Sequence, residues 1–253
     1  MQNALKFFVF FSIILLCGSC FNPTNSDTNV KSKLGSDSIR TKKNAVIVRE
    51  ISAFEQQFVD SGLVDVVKTN PKIRVFLRYA TDSNFLKRII YPSLKSAYLE
   101  KNTAQKLAVA QQFLSEQHAH LHLLIWDAAR PVSSQQIMWN SLDMPSHEKG
   151  RFVSNPANHS LHNYGCAVDV TLADQNGKTL DMGTDFDQFD TLAQPKFEMY
   201  CLQNKKLTQQ QFANRMLLRN VMKKAGFSTI SSEWWHFNSC SRWYAKEHFK
   251  LIK

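Results

Sequence analysis

The chain has 253 residues, of which 43% are apolar, so it can bury a real core as one large domain or two small ones. Its 31 Lys and Arg against 21 Asp and Glu give a formal charge of +10 and a pI near 9.4. These cations are scattered, with no block of five or six, and no nucleic-acid-binding motif accompanies them. The charge therefore reads as a solvated surface suited to an anionic envelope, with no nucleic acid as partner.

Lys6, an apolar run at residues 7–16 and then Cys17-Gly18-Ser19-Cys20 have the layout of a secretory signal peptide. The run is shorter than the about 20 apolar residues of a membrane-spanning helix. Gly18 and Ser19 ahead of Cys20 resemble a bacterial lipoprotein cleavage site, although Cys17 stands where Leu is usual. Residues 1–19 are thus expected to be removed and Cys20 to be lipidated, which would leave the protein exported and anchored on the periplasmic side of a bacterial membrane; plain secretion and an uncleaved anchor are the alternatives. Residues 20–43 are rich in Ser, Thr, Asn, Asp and Lys, cannot repay the entropy of ordering, and read as a tether. Residues 44–253 show no repeat and no second linker, which gives one domain.

Within that domain, Leu99, Leu107, Ala110 and Leu114 recur at helical spacing and predict a helix over 96–117. A strand is expected over 121–126, followed by Asp127-Ala128-Ala129-Arg130-Pro131. Ser133 with Gln136 resembles a capping box, which places Arg130 where a strand hands over to a helix. Residues 167–172 read as a strand and Asp174-Gln175-Asn176-Gly177 as the turn after it. Thr208 and Gln211 form a second capping box ahead of a helix that Gly226 stops. Residues 227–237 read as extended. The uneven alternation favours an α+β fold, a single domain with a small, mainly antiparallel sheet flanked by helices.

His162 and Asp169 flank Gly165, where a turn can bring both to one ion, and His236 adds a third ligand from a distant segment. Three such ligands with a fourth position open describe a catalytic zinc site, one ion per chain. Glu233 remains as a base. It and His236 are an odd number of residues apart, so both reach the metal only if the backbone bulges or turns between them. Arg130 is a candidate partner for an oxyanion, with Asp127 placed to hold it. His118, His120 and His122 read as solvated. Of Cys166, Cys201 and Cys240, one pair at most can form; Cys201 with Cys240 is the expected pair, set against three reduced thiols, and Cys166 is expected to be an inert core residue.

The patterns SxHxxGxAxD at 160–169, EWWHF at 233–237, WDxxRP at 126–131, RYATxxNF at 78–85 and DMGT with Phe186-Asp187 resemble the zinc D-alanyl-D-alanine dipeptidases, including those associated with vancomycin resistance. The resemblance implies zinc ligation by His162, Asp169 and His236, base catalysis by Glu233 and transition-state stabilisation by Arg130. It also implies a small pocket for a free dipeptide. Asp187 would receive the ammonium, Tyr79 would line the same end, Ser160 would contact substrate near the zinc, and Asp127 would belong to the same group. Ala129 replaces the Tyr usual in the family, so a wider pocket or a displaced Arg130 is the expected consequence. Two other readings stand beside this one: a D,D- or L,D-carboxypeptidase acting on peptidoglycan stem peptides, and a non-catalytic zinc-containing binding lipoprotein.

Overall fold

The computed structural model describes residues 51–253. The signal segment, the tether, Cys20 and the first residues of the expected catalytic domain lie outside the described residues. The helices are α1 (Ala53–Asp60), α2 (Val66–Thr69), α3 (Lys101–Gln117), α4 (Val132–Asn140), α5 (Ser146–Lys149), α6 (Glu198–Gln203), α7 (Gln209–Lys224) and α8 (Arg242–His248). The strands are β1 (Val64–Asp65), β2 (Arg74–Val75), β3 (Tyr98–Leu99), β4 (Leu121–Asp127), β5 (Ala167–Asp174), β6 (Ser228–Thr229) and β7 (His236–Asn238).

Two of these strands can only be central, because β4 is buried at every position but His122 and β5 at every position but Asp174. They pair antiparallel in a five-stranded sheet of order β2-β4-β5-β7-β6, in which only β2 runs parallel to its neighbour. The remaining strands, β1 and β3, form a separate antiparallel pair. The fold is therefore α+β with a mainly antiparallel sheet, as expected. Leu107, Ala110 and Leu114 of α3, Leu218, Val221 and Met222 of α7, and Leu123 and Ile125 of β4 share one apolar cluster. This packing backs the sheet with two long helices.

Helix α7 starts and stops where the sequence says. Thr208 Oγ1 accepts from the Gln211 amide at 3.1 Å, Gln211 Oε1 accepts from the Thr208 amide at 2.8 Å, and Gly226 follows at φ +88°. Two other expectations need correction. Helix α3 begins at Lys101 rather than 96, because Tyr98 and Leu99 pair with β1 instead; the Glu100 carboxylate then caps the helix by accepting from the Asn102 and Thr103 amides, each at 3.0 Å. Helix α4 begins at Val132, with Pro131 as its cap and no side-chain capping bond. Ser133 therefore lies inside the first turn, and its expected capping box does not form. The Val132 amide is satisfied by the Ile252 carbonyl at 2.8 Å.

The extended run 227–237 divides into β6 and β7, an antiparallel hairpin whose connection carries Glu233. Strand β4 has a bulge between Ile125 and Asp127, which sets Asp127 opposite Asp169. The Cys201–Cys240 pair is not formed, and all three thiols are free. Cys240 instead packs against the small apolar cluster that contains Cys166, while Cys201 lies on α6. Burial, and then the neighbouring Cys240, push the Cys166 thiol up, which makes it the inert core residue expected.

Candidate functional site

Asp169 and His236 face each other across β5 and β7, and directly opposed residues of an antiparallel pair share one face of the sheet. His162 arrives from a 3-10 turn, Leu161–Tyr164, whose geometry is set locally. Ser160 Oγ accepts from the His162 amide at 3.3 Å, and the Ser160 amide donates to Asn163 Oδ1 at 2.7 Å. Gly165 ends the turn in the left-handed conformation at φ +66°. A Cβ there would stand 2.8 Å from the Glu100 backbone nitrogen, so both conformation and space demand glycine.

His162 Nε2 lies 3.2 Å from His236 Nδ1 and 3.5 Å from Asp169 Oδ1, and His236 Nδ1 lies 3.0 Å from the same oxygen. Donor atoms bound tetrahedrally at about 2.0–2.1 Å stand about 3.3 Å apart, so these three edges fit one metal ion. The ring nitrogens turned away from the centre are fixed by acceptors. His162 Nδ1 donates to the Ala128 carbonyl at 2.6 Å, and His236 Nε2 donates to Asn238 Oδ1 at 2.8 Å. Each ring thereby presents its lone pair to the metal position. Among the described residues, His162, Asp169 and His236 are the group arranged to hold a metal ion, and His118, His120 and His122 form none.

Burial would raise the Asp169 carboxyl, but the His162 charge and hydrogen bonds from both histidines outweigh it and hold the group far below the usual carboxylate range. Burial would lower His236, but hydrogen bonding to Asp169 prevails and raises it to about 8. A metal ion entering the site displaces that proton, so its affinity increases with pH.

Glu233 lies in the bend before β7, which resolves the odd spacing to His236: its Oε2 comes to 4.0 Å from His236 Nδ1. Burial, reinforced by Asp169, raises its carboxyl against the pull of the histidines. Arg130 is gripped by Asp127, with Nε at 3.0 Å and Nη2 at 2.5 Å from Asp127 Oδ2, and Nη2 also reaches to 3.8 Å from Asp169 Oδ2. Tyr91, which sequence reasoning missed, donates its hydroxyl to the other oxygen of Asp127 at 2.8 Å. Asp127 is wholly buried and does not line the cavity, so its place is beneath Arg130 rather than against substrate.

The cavity over these groups measures about 160 Å³, small beside the roughly 300–1,000 Å³ of ordinary ligand pockets. Its lining includes Tyr79, Arg130, Ser160, Asp187, Glu233 and the three potential ligands, with Phe152, Phe189 and Trp235 as apolar walls. Asp187 is half-buried at φ +59° and accepts from the Tyr79 hydroxyl at 3.1 Å. Desolvation, then repulsion from Asp169 and Glu233, raises its carboxyl well above the ordinary range. Ala129 is buried outside the lining, and Arg130 stacks 5.4 Å from the Tyr79 ring, so the missing Tyr leaves the guanidinium held in place.

Asn238 was also missed, although the period-two alternation of β7 puts it on the face of His236. Asn238→Ala should weaken metal binding about 10- to 100-fold, because the His236 ring loses the acceptor that fixes it. Competition against a chromogenic chelator measures this, and an unchanged dissociation constant would contradict the role of Asn238.

The sequence profile of a peptidase family described as D-ala-D-ala dipeptidase matches residues 59–253. A D-alanyl-D-alanine dipeptidase of Escherichia coli strain K12 is 33% identical over 175 residues, covering 69% of this chain and 83% of that protein. A protein of the same name from Synechocystis is 25% identical over 59% of this chain and 72% of its own length. Another, from Enterococcus faecalis, is 26% identical over 51% of this chain and 67% of its own. The profile spans most of the chain and takes in every residue of the centre just described, and the chain belongs to the D-Ala-D-Ala dipeptidase family of metallopeptidases.

Proposed function

We propose that this protein is a zinc-dependent dipeptidase that hydrolyses free D-alanyl-D-alanine to two molecules of D-alanine in cell-wall peptide turnover. The observation that carries the reading is the pairing, within one cavity of about 160 Å³, of a His-Asp-His centre with a carboxylate for a free ammonium. A zinc ion held by His162, Asp169 and His236 would supply Lewis acidity and a water acidic enough to be deprotonated near neutral pH.

The chain's own groups supply the rest. Glu233 takes a proton from the attacking water and passes it to the amine nitrogen as the C–N bond breaks, a role suited by its raised affinity for protons. Arg130, fixed by Asp127, directs its guanidinium toward the oxyanion of the tetrahedral intermediate. Asp187, oriented by Tyr79, pairs with the ammonium, and a blocked amine leaves that carboxylate uncompensated. This favours a dipeptidase over a carboxypeptidase, which binds no free amine near the scissile bond. Glu233 and Arg130 argue against a binding protein, since metal retention alone requires neither. Export and lipid anchoring at Cys20 complete the proposal and rest on the amino-terminal sequence.

The deciding assay is release of D-alanine from D-Ala-D-Ala, with and without chelator, beside an N-acetylated control. Chelator-sensitive cleavage of the free dipeptide alone is expected. Cleavage of the acetylated control would make the protein a carboxypeptidase, and cleavage of neither would make it a binding protein. Glu233→Gln should keep its metal and lose at least about 10²-fold in kcat; normal turnover would remove Glu233 from the mechanism.

Asp187 must be anionic to bind an ammonium, and its raised carboxyl retains a proton above the pH at which free aspartate has lost it. KM for the free dipeptide should therefore fall as pH rises through that raised value, and Asp187→Asn should flatten the trend. A pH-independent KM in the unmodified enzyme would contradict the assignment. Cys20→Ser should abolish labelling by a radioactive fatty acid, whereas persistent labelling would place the anchor elsewhere.

A further inference from the structure

Behind the cavity, α7 turns one face to the irregular segment that carries Asp187. Gln211 Nε2 donates to Asp181 Oδ2 and Asn214 Nδ2 to the Asp181 carbonyl, each at 2.8 Å. Arg215 Nε donates to the Met182 carbonyl at 2.7 Å and its Nη1 to the Leu192 carbonyl at 2.9 Å. Residues 211, 214 and 215 share a helix face by spacing. The two carbonyls held by Arg215 flank Asp187 five residues to either side, so one side chain closes the loop at both ends.

Arg215 is 1% exposed, and its charge is met by Glu198, 3.3 Å from Nη1, which Arg219 also pairs at 2.7 and 2.8 Å. Its guanidinium lies 5.5 Å from the ring of Trp234, the residue after Glu233. Trp234 in turn donates from Nε1 to Thr184 Oγ1 at 2.7 Å and from its amide to the Ala193 carbonyl at 3.1 Å, so it ties the same segment a second time. Asp187 meanwhile adopts φ +59°, a left-handed conformation uncommon outside glycine that Asp tolerates better than most residues and that the fastening of the segment at both ends helps to hold.

We propose that Arg215 is a positioning residue for substrate selection: by holding the Met182 and Leu192 carbonyls it keeps Asp187 in its left-handed conformation against Tyr79, and so sets affinity for the ammonium end of the dipeptide. The inference rests on the reading of Asp187 given above. Arg215 does not line the cavity, and its bonds go to the segment that carries Asp187, so its direct effect falls on recognition.

Arg215→Lys preserves a cation beside Glu198 but replaces the planar fork with a single point donor. The expected result is unchanged metal content, KM for D-Ala-D-Ala raised about tenfold with kcat within about threefold, and preference for the free over the N-acetylated dipeptide reduced by a similar factor. Amide hydrogen exchange across residues 183–190 should quicken at the same time. Asn214→Ala, which removes the bond to the Asp181 carbonyl together with a bond from Gln210 Nε2 within α7, should give the same pattern in smaller measure and decides the matter if Arg215→Lys does not fold. A lower melting temperature with KM, selectivity and exchange all unchanged would overturn the proposal. If the unmodified enzyme leaves the free dipeptide intact, the reading of Asp187 fails, and the exchange comparison alone then shows whether Arg215 holds the segment.

Discussion

The register that sets Asp169 opposite His236 is the constraint on which the centre depends. A slip of one residue in either strand would turn one of these side chains to the far face of the sheet and dissolve the metal position. The bulge in β4 extends the arrangement by bringing Asp127 level with Asp169, so that Arg130 can grip the first carboxylate and still face the second. His162 is added from outside the ladder, on a turn that Gly165 alone permits against the backbone of Glu100. Rigid strands thus fix two ligands, and a crowded turn fixes the third.

This geometry concentrates negative charge. Asp127, Asp169, Asp187 and Glu233 converge around the cavity, and Arg130 cannot balance all four. The consequences divide by position. Asp169, beside two imidazoles, stays ionised, while Asp187 and Glu233, more remote from them and repelled by Asp169, hold protons more tightly. Such a site favours cations, and the two that the proposed reaction brings, a divalent metal and a substrate ammonium, approach different carboxylates. A metal ion at Asp169 and an ammonium at Asp187 would each relieve part of the repulsion, and a cation held by His162, Asp169 and His236 would lower the proton affinity of Glu233.

Much of this was legible in the sequence where the signal was local. The Thr208–Gln211 box and Gly226 fixed both ends of α7 because a capping box and a helix stop involve neighbouring residues only. The SxHxxGxAxD and EWWHF motifs named His162, Asp169 and His236, which the structure brings together as a group able to hold a metal ion, since metal-binding residue types at such positions are legible without the fold. What escaped was set by distant pairing. Tyr98 and Leu99 look helical until β1 claims their backbone, and Cys240 cannot be matched to Cys166 without the alignment of β5 with the chain leaving β7. Pro131 displaced the Ser133 box because the Ile252 carbonyl, far along the chain, satisfies the first free amide of α4.

The division of labour between sheet and loop has a further consequence. The potential metal ligands and their orienting acceptors belong to strands β5 and β7, a 3-10 turn and the Ala128 carbonyl, whereas Asp187 sits on an irregular segment fastened from behind by α7. Substitutions in that segment can alter which amine is accepted without shifting the register that holds the metal, because the two share no hydrogen-bonded ladder. Trp234 is the exception: it adjoins Glu233 in sequence, stacks on Arg215 and bonds to Thr184, so it joins Glu233 to the segment that carries Asp187. Changes at Trp234, or at its partner Thr184, should therefore be felt in both selection and turnover, whereas loop changes that leave these two contacts intact should act on selection.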